Sequence, residues 1–142
     1  MEKNHRTHIR LAATAAFLAA TFTATAIADT AAPPPPTIEQ VRGGMFPQQT
    51  GEAIYKGVCQ GCHMPDAKGA VGAGAYPALA GNTHLETAAY VVAIVIHGQK
   101  AMPPFADYFT DAQIANVVNY VRGNFGNHYT DQVTPAEVKA QR

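Results

Sequence analysis

Residues 59–63 read Cys-Gln-Gly-Cys-His and hold both cysteines of the 142-residue chain. On a helix, this spacing places two thiols about one turn apart and an imidazole directly after the second thiol. Four kinds of site use such a set: a redox-active dithiol, a structural zinc site, a simple disulfide and the attachment site of a c-type haem. The fold predicted around the motif decides among them.

A long stretch without helical or strand periodicity follows the motif. It runs from Pro65 to Asn82 and is rich in Gly, Ala and Pro. Loops of this length are uncommon in compact domains and are usually functional. The stretch therefore predicts that something other than packed helices fills the middle of the domain.

Three helices and no strand are predicted around this stretch. The first covers about residues 51–60, with apolar side chains on one face. The second begins at residues 83–86, Thr-His-Leu-Glu, which have the pattern of a capping box. It is apolar almost all round over residues 90–96, which predicts burial on more than one side. Gly98 suits the left-handed position after its last turn.

The third helix begins at a second capping-box pattern, formed by Thr110 and Gln113. Its apolar residues recur at the spacing of one helix face, so the element is amphipathic. Together these segments predict an all-α protein. The apolar face of the third helix consists of Ile114, Val117, Val118 and Val121.

The all-α setting selects among the four kinds of site. A thioredoxin-like dithiol needs a strand before the motif. Structural zinc needs four ligands and the motif supplies three, whereas a disulfide leaves His63 unexplained. In a c-type haem, two thiols form thioethers to the two vinyl groups of one porphyrin, and the next histidine ligates the iron. We therefore predict one haem c, covalently attached through Cys59 and Cys62, with His63 as an iron ligand.

The second axial ligand is predicted to be Met102. A methionine thioether is the usual sixth ligand where the potential of an electron carrier must be high. Met102 lies in a loop directly before two prolines, which restrict its backbone. Met64 adjoins His63 and cannot reach the opposite face of the ring, and Met45 lies upstream of the attachment helix. Three histidines are interpreted as surface residues: His84, His97 and His128.

The N-terminus has the pattern of a secretory signal peptide. Basic residues outnumber acids three to one in residues 1–10, and an uncharged run from Leu11 to Ala28 ends in a small-x-small site. An uncleaved membrane anchor is the alternative, but the many Ala and Thr residues make the run weakly hydrophobic for a span. We expect cleavage after Ala28, export to a bacterial periplasm and no membrane span in the mature form.

The mature chain divides into three parts. Residues 29–49 form a Pro-rich tether and an N-terminal extension draped on the domain, residues 50–126 form the domain, and residues 127–142 form a polar C-terminal tail that we interpret as frayed. Loss of residues 1–28 removes three of ten basic and one of ten acidic side chains, which leaves a net charge of −2. This balance excludes the basic surface of a nucleic-acid-binding protein.

Over about residues 50–125, the chain resembles the mono-haem class I cytochromes c. The attachment motif, the stretch 76–82, the loop around Met102 and the closing helix at residues 114–122 occur in the order of that family. The resemblance implies a small cytochrome c-like fold. In that fold, three main helices wrap around one haem and are joined by long Gly- and Pro-rich loops.

The resemblance also implies two structural roles. The carbonyl of Pro77 accepts a hydrogen bond from Nδ1–H of His63, which orients the imidazole and raises its basicity. Gly51 and Tyr55 correspond to the glycine–aromatic pair of the first helix. There the small glycine lets the helix cross the last helix closely, near Tyr120.

A haem with both axial positions occupied predicts a periplasmic one-electron carrier rather than an enzyme. It would pass electrons between a dehydrogenase and the respiratory chain. Analogy with the family gives an alternative, a fixed cytochrome subunit of a flavin, molybdenum or quinoprotein dehydrogenase complex. A haem peroxidase or gas-binding protein would need a polar residue near the iron, and the neighbours Ala101, Pro103 and Pro104 offer none.

Overall fold

A computed structural model gives the structure of residues 35–72 and 74–142. The signal peptide expected at residues 1–28 and the first part of the tether, residues 29–34, lie outside the described residues. The elements are, in chain order, α1 (Ile38–Met45), α2 (Gly51–Ile54), a π-helical turn (Tyr55–Cys59), α3 (Gln60–His63), β1 (Ala70–Val71), β2 (Ala75–Tyr76), a 3-10 helix (Thr83–Glu86), α4 (Ala88–His97), α5 (Asp111–Gly123) and α6 (Pro135–Lys139).

The architecture is helix-rich, as the all-α prediction requires, with one exception. β1 and β2 pair antiparallel, with Ala70 opposite Tyr76 and Val71 opposite Ala75. The prediction of no strand is wrong here, because two residues are too few for the alternation of a strand to show in the sequence. The pair folds part of the long stretch at residues 65–82 back on itself.

α5 begins and packs as predicted. Thr110 Oγ1 accepts from the backbone N–H of Gln113 at 3.1 Å, and Gln113 Oε1 accepts from the N–H of Thr110 at 2.8 Å. The Gln113 amide also donates to the carbonyls of Phe46 at 2.6 Å and Gln48 at 2.9 Å, which anchors the N-terminal segment to α5. The predicted apolar stripe is buried: Ile114, Val117, Val118 and Val121.

α2 crosses α5 at Gly51, as the resemblance implied. A Cβ atom on Gly51 would lie 2.1 Å from the carbonyl oxygen of Asn116 and 2.6 Å from Cβ of Tyr120. One turn further along, the ring of Tyr55 packs with its centroid 5.9 Å from that of Tyr120. Glycine therefore lets the two helix backbones touch.

We expect Gly51→Ala to lower the free energy of unfolding by about 2 kcal/mol, because the added methyl group must push the two helices apart. Urea unfolding followed by circular dichroism measures this change. Gly123→Ala is the matched control, since a Cβ at that end of α5 meets nothing within 4 Å. Alanine there should leave stability unchanged or raise it slightly. Equal stability of Gly51→Ala and the unmodified protein would contradict the close crossing.

The second predicted helix begins later than expected. The sequence pattern placed its capping box at Thr83 and Glu86, but these residues form the 3-10 helix. Asn82 caps that helix, because its Oδ1 accepts from the N–H of His84 at 2.9 Å. α4 begins only at Ala88.

Arg122 explains why the helix is interrupted. Its side chain is fully buried and donates from Nε to the carbonyl of Leu85 at 2.9 Å and from Nη2 to the carbonyl of Glu86 at 3.0 Å. A continuous α-helix would use these carbonyls as acceptors for amides four residues later. The guanidinium also pairs with the Asp131 carboxylate at 2.7 Å. This charged hydrogen bond holds the pKa of Asp131 below its usual value.

The body of α4 is largely buried, as its apolar run predicts. Val91, Val92 and Ile96 are buried, although Tyr90 is 45% exposed. The helix ends before Gly98, whose φ of 71° is positive, but its ψ of 171° lies outside the left-handed helical region that was predicted. Within residues 35–72 and 74–142, no helix combines the length and the apolar character needed to cross a membrane.

The C-terminal tail, residues 127–142, is packed rather than frayed, which corrects the prediction. α6 begins with a complete capping box between Thr134 and Glu137. Val133 and Val138 lie in the core, 7% and 0% exposed. The Thr-x-x-Glu pattern of this box is present in the sequence and would have predicted a short helix here.

α1 is a second helix that sequence reasoning missed. Thr37 Oγ1 accepts from the N–H of Gln40 at 3.2 Å, and Gln40 Oε1 accepts from the N–H of Thr37 at 2.7 Å. Two glycines in the segment weakened its helical signal. After α1, the ring of Phe46 packs edge-on against Phe109 with centroids 5.0 Å apart. Phe46, near the end of the extension, therefore packs on the domain.

Candidate haem site

The two thiols of the motif lie on one continuous helical segment, from Gly51 to His63. Cys59 is half-buried, Cys62 is exposed, and both thiols are free. Burial raises the pKa of the Cys59 thiol to about 11. The π-helical turn of the segment ends at Cys59, and such turns inside α-helices occur frequently at functional sites. Residues three apart share a helix face, so both thiols lie on the same side of the segment.

The imidazole of His63 is buried and held by one hydrogen bond. Its Nδ1 lies 3.0 Å from the carbonyl oxygen of Pro77, which is the contact expected from the resemblance. A carbonyl can only accept, so Nδ1 carries the proton and Nε2 keeps its lone pair. The side chain is therefore prepared to ligate a metal ion through Nε2.

Backbone contacts bring Pro77 to this position. Gly69 has φ 70°, and a Cβ there would lie 2.1 Å from the carbonyl oxygen of Tyr76. The buried Ala67 accepts through its carbonyl from the N–H of Leu79 at 2.7 Å. These contacts fold the loop tightly against the end of the attachment helix.

Met102 is half-buried in the loop that follows α4. The loop turns back at Gly98, where a Cβ would lie 2.5 Å from the carbonyl oxygen of Met102. Gln99 and Met102 exchange two backbone hydrogen bonds, of 3.1 Å and 2.9 Å. Further along, the N–H of Phe105 donates to the carbonyl of Val95 at 3.0 Å. The loop around Met102 is therefore tied to α4 at both of its ends.

The arrangement fits a haem better than the other three sites that the motif allows. Structural zinc needs four ligands, and the motif supplies three. The residues directly before Cys59 are helical, unlike the strand that precedes a thioredoxin-like dithiol, and a disulfide would leave His63 unexplained. Two free thiols, one available imidazole nitrogen and a thioether on a separate loop suit a porphyrin with two vinyl groups and two axial positions. The three other candidate histidines are all exposed: His84, His97 and His128.

Sequence reasoning missed a second role of Tyr55. Its ring lies at the helix crossing, but its hydroxyl also donates to the carbonyl of Met64 at 2.7 Å. Burial raises the pKa of Tyr55 to about 12, so the phenol remains a donor at neutral pH. No sequence pattern distinguishes this tyrosine from one that only packs.

Known proteins resemble this chain over the same region. It is 35% identical over 92 residues to the "Fructose dehydrogenase cytochrome subunit" of Gluconobacter japonicus, which covers 54% of this chain and 19% of that protein. It is 31% identical over 121 residues to the "Alcohol dehydrogenase (quinone), cytochrome c subunit" of Gluconacetobacter polyoxogenes, with 76% and 25% covered. It is 33% identical over 85 residues to a subunit of the nicotinate dehydrogenase of Pseudomonas putida, with 53% and 7% covered. The chain thus spans a quarter or less of the length of these curated relatives.

A family model described as "Cytochrome C oxidase, cbb3-type, subunit III" matches residues 46–121. The match includes the attachment motif, the loop that carries Pro77, the Met102 loop and most of α5. It covers more than half of the chain. The chain therefore belongs to this family and is a c-type cytochrome.

Proposed function

We propose that Cys59 and Cys62 hold one haem through two thioether bonds, and that His63 and Met102 ligate its iron. When bound, the haem supplies a one-electron couple between Fe(III) and Fe(II). The observation that carries the proposal is the hydrogen bond from His63 Nδ1 to Pro77, because it leaves Nε2 available on the helix that bears both thiols. In this proposal, three main helical segments surround the haem: residues 51–63, α4 and α5.

Each of these residues has a distinct task in electron transfer. The carbonyl of Pro77 fixes the tautomer and the orientation of His63 and makes the imidazole a stronger donor. The neutral thioether of Met102 favours the ferrous state and sets a high potential. With His63 and Met102 both holding the iron, no coordination position would remain open for a substrate. The protein therefore accepts and releases one electron without making or breaking a bond to substrate.

The donor of these electrons is proposed to be a dehydrogenase in the periplasm, to which the chain is exported after cleavage behind Ala28. Three relatives are named as subunits of fructose, alcohol and nicotinate dehydrogenases, which supports a partner of this class. The downstream acceptor is proposed to be a component of the respiratory chain. Redox partners of this kind meet briefly through small interfaces.

A fixed subunit of a dehydrogenase complex is the second candidate function. The names of the relatives favour it, since each is described as a subunit. Affinity purification of the chain at native expression distinguishes a fixed subunit from a diffusing carrier. A dehydrogenase that stays bound through gel filtration indicates a subunit, whereas a chain that elutes alone and is reduced by added dehydrogenase indicates a diffusing carrier.

The attachment is tested by producing the full chain in a host with a c-type maturation system. We expect a coloured protein that begins at Asp29 and has the mass of the polypeptide plus one haem, which stays bound after denaturation. The double variant Cys59→Ala/Cys62→Ala should lose the haem on denaturation, because no thioether can form. A colourless chain of unmodified sequence from the same host would contradict the proposal.

A further inference from the structure

The backbone turns sharply directly after His63. Met64 has φ 67° and ψ 159°, a region that residues other than glycine rarely occupy. Holding such a residue there costs on the order of 1–3 kcal/mol, and it persists only where surrounding contacts fix it. Because Met64 is covalently linked to His63, relaxation of this turn would move the histidine.

Tyr55 is the side chain that holds the turn. Its hydroxyl donates to the carbonyl of Met64 at 2.7 Å, and the N–H of Ala67 donates to the same oxygen at 3.1 Å. Tyr55 is 1% exposed, and its ring centroid lies 4.8 Å from that of Phe125. The phenol is packed in place and cannot turn to another acceptor without moving its neighbours.

The same turn connects to the imidazole by two further contacts. The N–H of Gly69 donates to the carbonyl of His63 at 3.1 Å, and Nδ1 of His63 donates to Pro77 at 3.0 Å. The loop from Met64 to Pro77 is therefore fixed at its start by Tyr55 and at its end by the imidazole. Without the contact at the start, the end would be held less firmly and the bond to Nδ1 would lengthen.

We propose that Tyr55 is a positioning residue for His63. Its hydroxyl holds the strained Met64 carbonyl, and the loop fixed in this way keeps Nδ1 at the hydrogen-bond distance of 3.0 Å from the Pro77 carbonyl. This inference rests on the proposed function, in which His63 is an iron ligand. The bond at Nδ1 makes the imidazole a stronger donor and stabilises Fe(III). Tyr55 thereby lowers the reduction potential without touching the haem iron.

The test is the variant Tyr55→Phe of the haem-loaded protein, which removes the hydroxyl and keeps the ring. We expect the ferrous-to-ferric ratio at a fixed ambient potential to rise about threefold, because the second-shell bond weakens. The 15N resonance of His63 Nδ1 in the ferrous protein should move towards that of an unbonded imidazole. The His/Met absorption spectrum should be retained. The matched control is Tyr120→Phe, which removes the hydroxyl from a ring whose centroid lies 5.9 Å from that of Tyr55. This variant should change neither the ferrous-to-ferric ratio nor the 15N resonance of His63.

A second variant tests the strain itself. Glycine adopts the conformation of Met64 without strain, so Met64→Gly should make the hydroxyl of Tyr55 less necessary. We expect Tyr55→Phe to change the ratio less in the Met64→Gly background than in the unmodified protein. An equal change in both backgrounds would overturn the inference, as would a Tyr55→Phe protein with intact absorption but an unchanged ratio and resonance. Those results leave the proposed function standing, whereas a chain of unmodified sequence without haem contradicts the proposed function itself.

Discussion

Replacing Met102 with alanine is expected to abolish the weak far-red absorption band that sulfur ligation gives to ferric haem. We also expect the midpoint potential to fall by on the order of 0.2 V, within the span of about 0.8 V over which axial ligands set haem potentials. The reason is that a water molecule or hydroxide in place of the thioether favours Fe(III). Potentiometric titration with optical detection measures both changes. The reduced variant should also bind carbon monoxide readily, because the axial position is open.

Met45→Ala is the matched control for this prediction. Met45 is the last residue of α1, and its side chain is 56% exposed. Its removal should leave the band, the potential and the slow reaction with carbon monoxide unchanged. An unchanged band in Met102→Ala would remove Met102 from the iron and with it half of the proposed ligand set.

Arg122→Met is expected to lower the free energy of unfolding by about 2–4 kcal/mol, because two carbonyls inside the protein lose their hydrogen-bond donor at a cost of about 1–3 kcal/mol each. The variant keeps much of the apolar volume but leaves the carbonyls of Leu85 and Glu86 without their donor. It also frees Asp131, which Arg122 binds through both carboxylate oxygens at 2.7 Å and 2.9 Å. Urea unfolding of the haem-loaded protein measures the loss.

The control is Lys56→Met, which breaks an ion pair at the surface. Lys56 Nζ lies 2.6 Å from Glu52 Oε1, and the two side chains are 62% and 56% exposed. Exposed pairs contribute little to stability, so the variant should remain close to the unmodified protein in stability. Similar losses in the free energy of unfolding in the two variants would contradict a stabilising role of Arg122 as a buried hydrogen-bond donor.

The parts of the fold that could be predicted depend on local patterns. The capping box at Thr110 and the apolar stripe of α5 lie within one helix, so sequence spacing alone defines them. The boxes at Thr37 and Thr134 have the same pattern and were missed, the first because glycines follow it and the second because the tail is polar. Attention to the capping pattern alone would have predicted both helices.

Some features of the candidate site could likewise be predicted from local patterns, whereas others could not. The two thiols and His63 are adjacent in the sequence, so their chemistry was recognisable from the spacing. The pairing of His63 with Pro77 was expected from the family resemblance, and the residues alone did not specify it. The role of the Tyr55 hydroxyl was not predicted, because it depends on where the carbonyl of Met64 points after a strained turn.

The amino-acid sequence by itself predicted the kind of cofactor and determined the helices with complete local signals, since both follow from spacings of a few residues. The tertiary structure decided where α4 begins, how the C-terminal tail packs and how the imidazole of His63 is held. Arg122 interrupts a helix through carbonyls 36 and 37 residues away in the chain, and Pro77 reaches His63 across 14 residues. Such contacts form only when the whole chain closes around its core, because a buried charge or an imidazole proton must find its acceptor wherever the fold brings one.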